Sequence, residues 1–94
     1  MSYRAPLKDM LFVMKELAGI ERITQLPGFE EAGLDTATAV LEECARFNEG
    51  VIAPLNEAGD RQPSSWKEGV VTTTPGFAEA FKAFAQADLW RFAP

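Results

Sequence analysis

Two pairs of adjacent carboxylates, Glu30/Glu31 and Glu42/Glu43, and one thiol, Cys44, are the side chains from which acid–base or nucleophilic chemistry could be built. General acid–base work needs two groups converging on one substrate, and helix neighbours one position apart point about 100° away from each other. Both pairs therefore read as surface charge. A thiol nucleophile needs a nearby base or cation, but the sequence contains no histidine, and that absence also removes the commonest metal ligand. Cys44 falls on an apolar stripe, where a small buried hydrophobe is the ordinary role, and a lone cysteine closes no intramolecular disulfide. The seven glycines are dispersed, whereas a phosphate loop clusters them between a strand and a helix. No catalytic, cofactor-binding or metal-ligating residue is singled out.

Composition narrows the partners. A net charge of -5 with scattered Lys and Arg argues against nucleic acid, which requires clustered cations. Lys8, Asp9, Lys15 and Glu16 interrupt the N-terminal apolar stretch, and no run reaches the roughly 18–20 apolar residues that span a bilayer. Neither a membrane nor a secretory signal is expected, and a cytoplasmic location follows. Ninety-four residues build a thin core, burying about 60–65% of the surface an unfolded chain exposes. With 47% apolar residues and 11% aromatics, disorder is not expected. The remedy for a thin core is a partner surface, either a second copy or further domains.

The elements that position these residues are helical. Pro6 suits a first helical turn and Gly19 a left-handed end, bracketing a helix near residues 6–18. Its stripe is Leu7, Met10, Leu11, Met14, Leu17 and Ala18, which leaves Phe12 and Val13 off the packing face. Those two are the candidate interface residues, set against incidental apolar exposure as the bland account. Residues 20–33 read as a connector with short helical turns, anchored by Phe29 and Leu34, with a turn at Pro27-Gly28.

The long helix is expected over residues 34–61, capped by Asp35 or Thr36 and ended near Gly59. Val40, Leu41, Cys44, Phe47, Val51, Ile52 and Leu55 share one apolar stripe, with Asn48 in its middle, while Glu42, Glu43, Arg46 and Glu49 lie opposite. Pro54 removes a backbone donor and its ring meets the carbonyl of Gly50, so a kink is expected there. Residues 62–73 read as loop, because the short strand-like run Val70-Val71-Thr72 has no evident pairing partner. Thr74 caps and Pro75 opens a final helix over residues 74–90, with Phe77, Phe81, Phe84 and Ala85 as its packing stripe.

The run VIAPLNEAGDR after a glutamate-rich amphipathic helix, followed by Trp66 and GVVTTTPGFAEAFKAF, resembles the N-terminal helical domain of bacterial FAD-dependent acyl-CoA dehydrogenases. The opening YRAPLKDMLFVMKEL is similar to the extra leading helix of one subgroup. The resemblance covers nearly the whole chain and implies a parent reaction, α,β-dehydrogenation of acyl-CoA thioesters with FAD. In that family a β-domain and a second helical domain hold the flavin and supply the catalytic glutamate. After Phe84 the family continues with a Gly-Gly-Trp-like turn, whereas this sequence runs Ala85-Gln86-Ala87-Asp88-Leu89-Trp90-Arg91-Phe92-Ala93-Pro94.

The expectation is an all-α fold, one small helical bundle of three main helices whose long middle member is kinked at Pro54. Functionally, the resemblance implies a truncated N-terminal piece of an acyl-CoA dehydrogenase, a packing domain expected to lack its own flavin site and catalytic base. Its partners would be another copy or the missing domains. The alternatives are a free-standing helical homodimerisation module and a small acyl-binding protein using a groove between helices.

Overall fold

The computed structural model describes residues 2–88. The expected all-α class holds, with three main helical runs and a single two-stranded hairpin among the described residues. The chain forms two compact units, one of Arg4–Arg46 and one that joins Met1–Tyr3 to Phe47–Pro94.

In the Arg4–Arg46 unit, helix α1 spans Leu7–Phe12 and runs into a π-helical turn over Val13–Leu17. Pro6 sits just outside the first turn, and its carbonyl accepts from the Met10 N–H. The π-turn closes when the Ala18 N–H donates to the Val13 carbonyl five residues back, at 2.8 Å. Gly19 then takes a φ of 68°, the left-handed conformation that ends the run where the sequence placed its stop. Leu7, Leu11 and Met14 of the predicted stripe are half-buried, but Met10, Leu17 and Ala18 are exposed.

Helix α2 is one short turn, Ile20–Ile23, and the connector continues through a left-handed Gly28. The Gly28 N–H donates to both carboxylate oxygens of Glu30, at 3.1 and 3.2 Å. Phe29 is exposed rather than an anchor, while Leu34 is half-buried as expected. Helix α3, Leu34–Phe47, begins before its predicted caps. Asp35 and Thr36 lie inside its first turn, and the Gly33 carbonyl accepts the first helical bond from Ala37.

In the second unit the chain winds as a π-turn over Asn48–Ile52 and continues as helix α4, Ala53–Arg61. The Ala53 N–H donates to the Asn48 carbonyl, so the turn before Pro54 closes over five residues instead of four. Pro54, at the second position of α4, has no N–H to offer. The wider turn is the local device by which a helix takes a proline without driving its ring into the preceding turn. Asn48 is exposed, so the demand for buried amide partners does not arise. Gly59 does not cap α4 either. The helix runs past it to Arg61, and a Cβ at Gly59 would lie 3.1 Å from Phe77 Cζ. This glycine makes room for an aromatic ring.

The segment expected to be loop contains a hairpin. Strands β1 (Ser65–Lys67) and β2 (Val70–Thr72) pair antiparallel with Trp66 opposite Val71 and Lys67 opposite Val70. The partner strand is Ser65-Trp66-Lys67, too short and polar for strand periodicity to reveal. The turn residues Glu68 and Gly69 both have positive φ, 50° and 81°, the handedness that matches the twist of a two-residue hairpin.

Helix α5 is Phe77–Gln86, later in starting than predicted. Gly76, at φ 97°, precedes it. The Thr74 hydroxyl donates to the Gln62 carbonyl at 2.7 Å and so ties the hairpin's two ends together instead of capping the helix. A left-handed Asp88 follows the helix, and residues 89 and 90 of the predicted span lie outside the described residues. The predicted phenylalanine stripe splits. Phe84 is half-buried and its ring centroid lies 6.0 Å from that of Phe47, tilted by 51°, but Phe81 is 71% exposed and Ala85 is exposed as well. Ala45 and Ala80 are the buried apolar residues among those described, and no large side chain there is fully enclosed.

Candidate functional site

The candidate interface residues lie where α1 gives way to its π-turn. Phe12 ends the α-helical part and is 58% exposed; Val13 opens the π-turn and is 48% exposed. Leu17, at the end of the same turn, is more exposed still. Sequence reasoning places Leu17 on the packing stripe by assuming 3.6 residues per turn, and the looser π winding displaces positions after Val13 from that wheel. An apolar edge of Phe12, Val13 and Leu17 is the result.

The second unit carries its own exposed apolar side chains. Trp66 and Val71 face each other across the hairpin and both are exposed, as are Val70 and Phe81. Residue type and spacing place Phe81 in the core. The structure leaves it 71% exposed, and no feature of the sequence window distinguishes it from Phe84.

Glu43 pairs with Arg46 one helical turn on, and Glu57 pairs with Arg61 in α4, all four side chains largely in solvent. The Glu43 carboxylate holds the Arg46 guanidinium pKa above its ordinary value through a hydrogen bond and charge attraction, which only reinforces a permanent charge. Cys44 is half-buried. Among the described residues no group of three or more His, Cys, Asp or Glu is placed to hold a metal, and no helix is long and apolar enough to cross a membrane.

Open clefts lie among the described residues. One is rimmed by Glu21, Glu30, Glu31 and Asp35, and another, beside the second π-turn, by Tyr3, Asn48, Glu49, Ile52 and Glu57. The first does not fit a flavin pyrophosphate, which needs backbone N–H groups or cations pointed at it where this rim presents four carboxylates. Glu30 further occupies the free N–H of Gly28.

No family model matches the sequence. The chain is 34% identical over 84 residues to the 3-methylmercaptopropionyl-CoA dehydrogenase of Ruegeria pomeroyi, a match that covers 89% of this chain and 14% of that protein. It is 33% identical over 61 residues to the broad-specificity linear acyl-CoA dehydrogenase FadE5 of Mycobacterium tuberculosis, covering 65% of this chain and 10% of that one. The chain therefore spans about a tenth to a seventh of the length of these curated relatives. Its homologues are acyl-CoA dehydrogenases, of which it aligns with a short part.

Proposed function

We propose that the chain serves as the N-terminal helical portion of an FAD-dependent acyl-CoA dehydrogenase, and that its role is to pack rather than to react. The observation that carries this reading is the 34% identity maintained over 89% of the chain. Its residues act as one helical domain, and the flavin site and catalytic base belong to other parts of such an enzyme. Two features of the structure support a packing role. Glu43 and Glu57 pair with arginines and Glu30 accepts from a backbone N–H, and large apolar side chains stand exposed in both units.

Phe12 and Val13 are the contact residues in this reading, meeting either a second copy or the neighbouring domains of the enzyme. Their exposure also favours a second reading, a free-standing helical homodimerisation module. The DNA downstream of the Pro94 codon separates the two. An in-frame or frameshifted continuation encoding a β-domain supports the enzyme portion, and unrelated sequence favours the module.

Catalytic silence is tested by titrating the purified protein into FAD and following flavin fluorescence. The expected result is no saturable quenching and no yellow colour after purification. Saturable, stoichiometric flavin binding would overturn the assignment of a purely structural role.

A further inference from the structure

We draw no further inference here: the strongest candidate, the apolar face of the β1–β2 hairpin on which Trp66 and Val71 oppose one another, stands exposed with nothing in the structure to show what covers it.

Discussion

The run Leu7–Leu17 and the α4–α5 region both look amphipathic in sequence, yet they use their apolar residues differently. In α4 and α5 the contacts are close and specific. Phe77 approaches the bare backbone of Gly59, Leu55 lies against Gly76, and Phe84 meets Phe47. The Leu7–Leu17 run, which like α4 has no buried residue, leaves Phe12, Val13 and Leu17 largely in solvent with no such close approach to a glycine. The difference teaches that an apolar stripe records a need for cover, while glycines at close approach record that the cover is already supplied by the same chain.

The contrast breaks most easily at Gly76. In Gly76→Ala the new Cβ would sit 2.8 Å from Leu55 Cδ2, on a backbone held at φ 97°. Left-handed strain and overpacking together should cost about 3 kcal/mol in urea unfolding. An unchanged midpoint would mean that the α4–α5 contact is loose.

Phe84→Ala removes the ring packed against Phe47, and because Phe84 is only half-buried the expected loss is about 2 kcal/mol, below the range for a fully enclosed phenylalanine. Its exposed neighbour serves as the control. Phe81→Ala should change the unfolding midpoint little, since its side chain is largely in solvent already. Equal losses at the two positions would erase the distinction between covered and uncovered faces of α5.

Thr74→Val keeps the shape of a side chain only 2% exposed but leaves the Gln62 carbonyl without its hydroxyl donor. A loss of about 1–2 kcal/mol is expected, with increased amide exchange in the hairpin. Phe12→Ser should be the smallest of the set, within about 0.5 kcal/mol for the dilute chain, because the side chain it removes is largely exposed. Its effect belongs to association instead.

Much of this is legible in the sequence. The helical class, the stop at Gly19 and the exposure of Phe12 and Val13 follow from local chemistry that a short window contains, whereas at Pro54 the sequence predicts a kink and the structure shows a π-turn over Asn48–Ile52 ahead of it. The features that escape such a window are set by non-local geometry. The hairpin depends on pairing Ser65-Trp66-Lys67 with Val70-Val71-Thr72 through a turn whose first residue is Glu68, an uncommon choice for positive φ. Gly59 looks like a helix stop because a glycine near a polar end usually is one, but its role is set by Phe77, eighteen positions later. Side-chain type alone assigns Phe29 and Phe81 to the core, and type records what a residue would gain from burial, not whether a surface is there to bury it.

For function, residue chemistry and family resemblance carry different parts. The dispersed glycines and missing histidine are visible at once, whereas the gathering of Glu30 and Glu31 with Glu21 and Asp35 around one cleft is not, because Glu30 and Glu31 lie in a turn and not on a helix. The link to acyl-CoA dehydrogenases comes from the specific run around Pro54 and Trp66, which no count of charges or periodicity supplies.

The central claim is that the exposed apolar side chains are contact surface, and that the chain by itself covers this surface by pairing with a second copy. Light scattering across a concentration series, on the native chain and on Phe12→Ser, tests it most directly. The native chain should show a mass that rises above 10.3 kDa with concentration, and Phe12→Ser should associate more weakly. A mass fixed at 10.3 kDa at every concentration for both proteins would contradict the account.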